Sequence, residues 1–386
     1  MDTKRSKKFC RRATHVESND ETEAQTCANS QSKEIHLTYD VLRIIFQLLN
    51  YRDLANASKV SRSWLEAAQE EMQIRTEPTA FRKHSDSIKQ TSAVILKDFL
   101  NLRIEPYISF YFLCHRTNYI NMERTIIGNI FQQVHENSEI IMVHSAGIIL
   151  DSDEIEGKNK DILCAFLPKI PNVDIRIFQI PNPNSRRKEE GLIQTIKQLP
   201  ALNKEKSTCL IIFGTALEHS HIKSLINDLN SYSNKISSVW GGLVKNCYIH
   251  DKTSSVLRAP YCISILITGR MKTWSTIVDQ YCNTKEKVEK HLREWKEKVE
   301  LRKHSIGFMF ACHARGESLY NKPNVESSIF KSLFPDLKLV GCFGDGELGK
   351  HSFPADNCKT SHKKECSCCT LYYIQYSTIF MILTYD

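Results

Sequence analysis

The sequence predicts a mixed α+β protein in which a small helical unit precedes a large α/β domain. Residues 36–75 place apolar side chains three or four positions apart, which is the spacing of helices packed on one another. Beyond residue 90, β-rich runs such as Thr208–Phe213 alternate with helical stretches such as Ser220–Tyr232. A hydrophobic fraction of 41%, with 17 Phe, 14 Tyr and 4 Trp, supplies a large core and excludes wholesale disorder.

Composition divides the 386 residues into five predicted segments. The first 34 residues are polar and predict a disordered tail. The polar stretch around Pro78 predicts a linker. The predicted segments are the tail at 1–34, the helical unit at 35–76, the linker at 77–90, and two halves of the α/β domain at 91–260 and 261–386.

Charge and hydropathy exclude several classes of protein. The net charge of +8 is mild for this length, so we expect no nucleic-acid partner. No apolar run approaches the roughly 18 residues of a membrane helix, and the charged N-terminus is unlike a secretory signal. We therefore expect no membrane partner, a cytoplasmic location and mostly free thiols among the 14 cysteines. The basic cluster Lys4–Arg12 is either part of a solvated tail or a nuclear-import signal.

The α/β pattern predicts strands separated by amphipathic helices. One helix, Thr284–Leu301, carries Val288, Leu292, Trp295 and Val299 as an apolar stripe amid charged residues. The predicted strands are Tyr107–Leu113, Ile140–His144, Leu163–Leu167, Val173–Ile180, Thr208–Phe213, Ser238–Leu243, Tyr261–Thr268, Ser305–Cys312, Leu337–Cys342 and Leu371–Leu383. The other predicted helices are Asn121–Glu136, Arg187–Leu199, Ser220–Tyr232 and Val325–Phe334.

The helical unit carries an ordered motif that resembles the F-box family. The motif runs from Leu37-Thr38-Tyr39-Asp40-Val41-Leu42 to Val60-Ser61-Arg62 and Trp64, with Thr38, Asp40 and Ser61 as mild departures. The resemblance implies docking to a Skp-type adaptor and, through it, to cullin and RING subunits. The alternative is a helical cap on the larger domain. The candidate adaptor-binding residues are Leu37, Val41, Leu42, Ile45, Phe46, Leu49, Leu54, Val60 and Trp64, among which Leu37, Ile45, Phe46 and Leu49 are favoured for the adaptor face.

A second resemblance lies near the C-terminus. The segments Ile306-Gly307-Phe308-Met309-Phe310-Ala311-Cys312 and Cys342-Phe343-Gly344-Asp345-Gly346-Glu347-Leu348-Gly349 resemble the FIST domain, a sensory module. Residues 305–349 carry the match, and Trp240-Gly241-Gly242 adds a faint one. The resemblance implies a two-half FIST-type α/β domain with a ligand pocket at glycine-rich turns. The candidate pocket residues are Gly241, Gly242, Cys312, Arg315, Gly316, Gly344, Asp345, Gly346 and Glu347.

The pocket and its thiol both have plainer interpretations. The glycines could serve turn geometry alone, with the charged side chains solvated. His313 and Arg315 could activate Cys312 as a nucleophile, but a cysteine at the end of an apolar strand is more often inert core packing. The loop Gly344–Gly349 lacks the Gly-Lys-Ser/Thr ending of a phosphate-binding loop.

A cluster of thiols and one imidazole follows this segment. Its spacing does not fit paired Cys-x-x-Cys knuckles, so we expect a connection between two strands and no metal, with zinc as the alternative. The weak metal candidates are Cys358, His362, Cys366, Cys368 and Cys369.

Together these observations predict a non-catalytic substrate receptor of a Skp–cullin–F-box ubiquitin ligase. The helical unit would hold the adaptor, and the FIST-type domain would hold an unidentified protein for ubiquitination and proteasomal degradation. We expect no cofactor. The alternatives are a small-ligand-sensing signalling module and a FIST-type hydrolase or thiol enzyme.

Overall fold

The computed structural model describes residues 37–84, 88–114, 138–157, 161–180, 186–200, 202, 205–216, 219–251, 256–353 and 370–386. Residues 1–38 and 39–386 are two separate units, and of the first only Leu37 and Thr38 are described. Within these ranges no helix has the length and apolar character to cross a bilayer. The predicted tail at 1–34 lies outside the described residues.

Three short helices form the N-terminal helical unit: α1 (Tyr39–Phe46), α2 (Tyr51–Ala57) and α3 (Arg62–Ile74). Side-chain caps fix two helix starts, because Asn50 accepts the Asp53 amide at 2.8 Å and Ser61 accepts the Trp64 amide at 3.4 Å. The unit therefore has its own small core, formed by Leu42, Phe46, Leu54, Ala57, Ala67 and Ala68.

The described residues between 79 and 385 form three successive structural repeats. Each repeat contributes an edge strand, a parallel pair of central strands, a hairpin and a return strand. The first contains β1 (Thr79–His84), α4 (Ile88–Leu100), β2 (Pro106–Cys114), β3 (Glu139–Ser145), β4 (Gly147–Leu150), β5 (Asp153–Glu156) and β6 (Asp161–Pro168).

The other two repeats follow the same order. The second contains β7 (Val173–Ile180), α5 (Arg186–Gln198), β8 (Ser207–Thr215), α6 (His219–Asn230), β9 (Ser238–Val244), β10 (Asn246–Asp251), β11 (Val256–Arg258) and β12 (Cys262–Gly269). The third contains β13 (Lys272–Val278), α7 (Lys285–Lys296), β14 (His304–Cys312), α8 (Gly316–Tyr320), α9 (Val325–Leu333), β15 (Lys338–Gly344), β16 (Glu347–Gly349), β17 (Tyr372–Ile374) and β18 (Thr378–Tyr385).

The described strands form three six-stranded sheets with one shared pattern. Their orders are β1-β6-β2-β3-β10-β11, β7-β12-β8-β9-β16-β17 and β13-β18-β14-β15-β4-β5. In each sheet the two central strands are parallel and every other neighbouring pair is antiparallel. Each repeat gives its hairpin to another repeat's sheet, so the three repeats hold one another together in a ring.

The three sheets enclose a common apolar core. Phe112, Phe213 and Phe310 hold equivalent positions, each two residues before the end of a central strand, and all three are buried. The Trp240 ring lies 5.7 Å from the Phe213 ring and 6.1 Å from the Phe310 ring. Outside the sheets, α4 to α7 and α9 bury their apolar faces against the outer surfaces. The core therefore couples all three repeats.

The mixed α+β fold and the small helical unit are confirmed. Some predicted elements differ. Strand β1 and the start of α4 occupy the linker expected at 77–90, and β1 pairs with β6 along its whole length. The single strand expected at Leu371–Leu383 is two strands, β17 and β18, which belong to different sheets. The helix predicted at Asn121–Glu136 lies outside the described residues. The predicted division of the α/β domain at residue 260 stays a prediction.

Two glycine substitutions should change stability in opposite directions. Gly241 has a φ of +133°, and a side chain there would overlap the Ile212 carbonyl oxygen. Gly241→Ala should therefore lower the free energy of unfolding by about 1–3 kcal/mol. Gly191 lies inside α5 with open space around it, so Gly191→Ala should raise that free energy by about 0.5–1 kcal/mol. Urea unfolding of both variants checks this. An unchanged or raised stability in Gly241→Ala would contradict the described backbone.

Candidate functional site

Helix α1 has an apolar surface that the protein leaves open. Val41, Ile44, Ile45 and Leu48 follow helical spacing over α1 and the turn after it, and each side chain is exposed. Ile44 is 63% exposed and Leu48 is 84% exposed. These four residues are called the α1 stripe below. Soluble proteins seldom expose aligned apolar side chains without a partner, so the α1 stripe is a candidate protein-binding surface.

The neighbouring face of α1 is buried inside the helical unit. Leu42 and Phe46 lie in the small core with Leu54, and the Phe46 ring contacts Trp64 edge-on at 5.4 Å. Leu49 and Trp64 are half-buried against the same core. These side chains hold the three helices together in the free chain. Phe46, which the sequence favoured for the adaptor face, is therefore placed in the core, and its adaptor contact stays a prediction.

The remaining candidates of the helical unit are exposed. Leu37 is exposed in the segment before α1, and Val60 is exposed in the turn between α2 and α3. Sequence reasoning left out Ile44 and Leu48. Val41, Ile44, Ile45 and Leu48 form a second apolar line along the helix, next to the line formed by Leu42, Phe46 and Leu49. That second line is the signal that could have found Ile44 and Leu48.

The glycine-rich turns of the predicted FIST pocket do come together. The Leu243 amide donates to the Gly346 carbonyl at 2.7 Å, and the Asp345 amide donates to the Leu243 carbonyl at 2.9 Å. A side chain on Gly242 or Gly344 would overlap the Phe310 ring, and one on Gly346 would crowd Tyr373. The glycines therefore allow the strand ends to pack closely against aromatic rings, which favours turn and packing roles.

Arg315 is a buried hub that bonds several loops of the protein. Its side chain is 2% exposed and bonds Glu326 through Nε at 2.8 Å and through Nη2 at 2.6 Å. Nη1 donates to the carbonyls of Asp279 and Tyr376, and Nη2 donates to the Cys282 carbonyl and the Tyr320 hydroxyl. Every N–H of the guanidinium has an acceptor. These contacts favour a structural role for Arg315, and its place in a ligand pocket stays a prediction. Gly316 follows it and faces the Glu156 carboxylate.

Glu347 and Cys312 form a buried pair behind the glycine turns. Glu347 Oε2 accepts the Ser377 amide at 3.0 Å and the Ser377 hydroxyl at 2.9 Å. Burial raises the pKa of Glu347 to about 7. Burial, together with the Glu347 charge, raises the pKa of the Cys312 thiol. The thiol form of Cys312 is favoured, which supports core packing over an activated nucleophile.

The last pocket candidate, Asp345, lies at the surface. Its Oδ1 is 2.9 Å from His313 Nδ1, and both side chains are about half exposed. Such a pair contributes little to stability. The metal candidates Cys358, His362, Cys366, Cys368 and Cys369 lie outside the described residues. Within the described ranges no group of three or more potential metal ligands occurs.

The buried Glu347 predicts a specific pH dependence. Its pKa rises from 4.5 in the unfolded chain to about 7 in the folded one, so its contribution to stability is fully present below pH 4.5 and is lost as the pH rises through about 7. Glu347→Gln removes this titration. The thermal midpoint of the wild-type chain should therefore fall more steeply between pH 5 and pH 7.5 than that of Glu347→Gln. Parallel curves would mean that Glu347 does not titrate in this range.

Comparison with known proteins agrees with the position of the helical unit. The F-box domain model matches residues 35–71, which cover α1, α2 and most of α3. The human protein "F-box only protein 22" is 24% identical over 188 residues, covering 47% of this chain and 46% of that protein. "F-box only protein 22" of Pongo abelii is 52% identical over 46 residues, covering 12% and 11% of the two chains.

Two further similarities were found. "F-box/LRR-repeat protein At5g63520" of Arabidopsis thaliana is 35% identical over 79 residues, covering 20% of this chain and 14% of that protein. A solved structure, the cyanuic acid hydrolase of A. caulinodans, shares 6% identity at a TM-score of 0.38, over 80% of this chain and 99% of that one. The chain spans less than half the length of the curated relatives it matches. It carries an F-box domain at residues 35–71 and is similar to F-box only protein 22.

Proposed function

We propose that the chain is the substrate-receptor subunit of a Skp–cullin–F-box ubiquitin ligase. The α1 stripe carries this proposal, because it is an open apolar surface inside the F-box domain. Exposed aliphatic side chains on a short helix are what a partner groove recognises. The stripe would bind a Skp-type adaptor, and the adaptor would connect the chain to the cullin and RING subunits.

The α/β domain is the proposed binding surface for a target protein. Its three repeats exchange hairpins and share one core. The domain can therefore hold a binding surface in a fixed conformation. The receptor would contribute proximity and orientation, while bond chemistry would belong to the other subunits. Similarity to F-box only protein 22 supports the receptor role. The FIST-type domain would recruit the target protein.

Assembly of the complete ligase tests this function. The chain is co-expressed with a Skp-type adaptor, a cullin and a RING subunit and is then separated by size-exclusion chromatography. The wild-type chain should elute with all three subunits, whereas Leu48→Asp should elute alone, because it would bury a carboxylate in an apolar interface. Separate elution of the wild-type chain would reject the proposal, and co-elution of Leu48→Asp would reject the stripe as its basis.

The small-ligand sensor stays a prediction that the described contacts do not favour. The glycine turns pack on Phe310 and Tyr373, and Arg315 is fully bonded within the protein. A thermal shift of the full chain that depends on a small molecule would support the sensor. That shift is independent of adaptor binding, so the two functions can be tested separately.

A further inference from the structure

The F-box is joined to the α/β domain by a short connection with contacts at both ends. Helix α3 ends at Ile74, and strand β1 begins at Thr79 inside the first sheet. The Tyr385 hydroxyl, on the last strand, donates to the Thr76 carbonyl at 2.6 Å. The F-box therefore joins the domain without a free linker.

Arg75 lies at the centre of this connection with its side chain 6% exposed. Nη2 donates to the Phe46 carbonyl at 2.6 Å, and Nη1 donates to the Leu49 carbonyl at 2.7 Å, where α1 has ended. Nη1 also donates to the Arg103 carbonyl of the α/β domain at 3.1 Å. Nε bonds Glu71 Oε1 at 2.8 Å. One buried guanidinium thus binds the F-box and the domain at once.

The loop between α4 and β2 of the α/β domain makes two further hydrogen bonds to the F-box. Arg103 Nη2 donates to the Gln47 carbonyl at 2.8 Å. The Leu102 carbonyl accepts the Tyr51 amide, the first residue of α2, at 2.8 Å. These bonds and those of Arg75 are called the junction.

Two open cavities lie beside the junction, each lined by residues of the F-box and of the α/β domain. One of about 740 Å³ reaches Leu65 and Phe99, and one of about 540 Å³ reaches Arg103 and Pro168. Tyr51 and Met72 line both cavities. Because open space separates the two parts at both cavities, the polar bonds of the junction should decide how firmly the F-box is held.

We propose that Arg75 is a positioning residue that, with Arg103, holds the F-box at one angle to the α/β domain. This inference rests on the proposed ligase function. With a fixed angle, the ligase presents the same part of the α/β domain, and of anything bound to it, to the ubiquitin-carrying enzyme. Loosening the junction should therefore change which lysines receive ubiquitin, while adaptor binding by the α1 stripe is kept.

Hydrogen exchange of the full chain tests the junction without any partner. The Tyr51 amide bonds across the junction, whereas the Ser58 amide bonds the Leu54 carbonyl inside the F-box. Arg75→Gln should speed exchange at Tyr51 by about tenfold or more and leave Ser58 slow, and Arg75→Lys should fall between Gln and wild type. Arg82→Gln, in an exposed ion pair, is the control.

Arg103→Gln distinguishes loosening of the junction from unfolding of the F-box. The Arg103 side chain lies outside the F-box and donates to the Gln47 carbonyl. Arg103→Gln should therefore speed exchange at Tyr51 while the F-box stays folded. This variant still tests the junction if Arg75→Gln unfolds the F-box. Unchanged exchange at Tyr51 in Arg103→Gln and in a folded Arg75→Gln would overturn the proposal.

A map of ubiquitinated lysines on the receptor itself tests the consequence. In the reconstituted ligase, the wild-type chain should be modified at a narrow set of lysines, and Arg75→Gln should be modified at a broader set with adaptor binding unchanged. An unchanged lysine set would overturn the positioning role. If the wild-type chain does not assemble, the proposed function fails, and exchange at Tyr51 still decides whether Arg75 holds the junction.

Discussion

Replacing Arg315 by leucine should lower the free energy of unfolding by about 3–5 kcal/mol, as expected when one partner of a buried ion pair is removed. Arg315 and Glu326 are each 2% exposed, and the variant would leave the Glu326 carboxylate buried without its cation. It would also leave the carbonyls of Asp279, Cys282 and Tyr376 without their donor. Chemical denaturation of the full chain measures the loss.

A second arginine variant and a double variant distinguish the loss of the buried ion pair from a nonspecific loss of stability. Arg176 pairs with Asp174 at 2.7 Å, but both side chains are more than half exposed, so Arg176→Leu should change stability by less than about 1 kcal/mol. Arg315→Leu with Glu326→Leu should recover part of the loss, because it removes the unpaired buried charge. Equal effects of Arg315→Leu and Arg176→Leu would contradict the role of Arg315 as a hub.

The elements that the sequence predicted well are those whose burial pattern is local. Val288, Leu292 and Trp295 form an apolar stripe amid charged residues and are buried on α7 as expected. Strand β8 contains the continuous apolar run Cys209–Phe213, which is buried on both faces, and the predicted strand Thr208–Phe213 covers six of its nine residues. In both cases neighbouring residues alone carry enough information to predict the element.

The elements that were missed depend on partners far along the chain. Strand β1 carries Arg82, Lys83 and His84 and resembles a polar linker, yet it pairs with β6 about 80 residues later. Hairpin β4–β5 has only short apolar stretches, and it is completed by β15 of the third repeat. Such pairing leaves no local periodicity, so the three-repeat arrangement is not readable from one sequence.

The candidate site shows the same limit. The motif located the F-box because its residues are close in sequence, but it could not tell which face of α1 is buried, and so Phe46 was favoured and Ile44 was left out. The role of Arg315 depends on loops at 279–282 and 376 that only the folded chain brings together. Residue type alone could not distinguish a ligand-facing cation from a structural one.

Placing a carboxylate on the α1 stripe should abolish binding of the Skp-type adaptor. Ile44 is 63% exposed in the free chain, so Ile44→Asp should leave the fold intact. In the complex the carboxylate would be buried against apolar groups, at a cost of several kcal/mol, and each 1.4 kcal/mol weakens binding about tenfold. We therefore expect a loss of affinity of at least about 100-fold.

Calorimetric titration of the adaptor into the full chain, with Ile74→Asp as the matched control, tests this account most directly. Ile74 is 55% exposed at the end of α3 and lies beyond the F-box match at 35–71. We predict tight binding by the wild-type chain and by Ile74→Asp, and no measurable binding by a folded Ile44→Asp. Wild-type affinity in Ile44→Asp, or no binding by the wild-type chain, would contradict the assignment of the α1 stripe as the adaptor-binding surface.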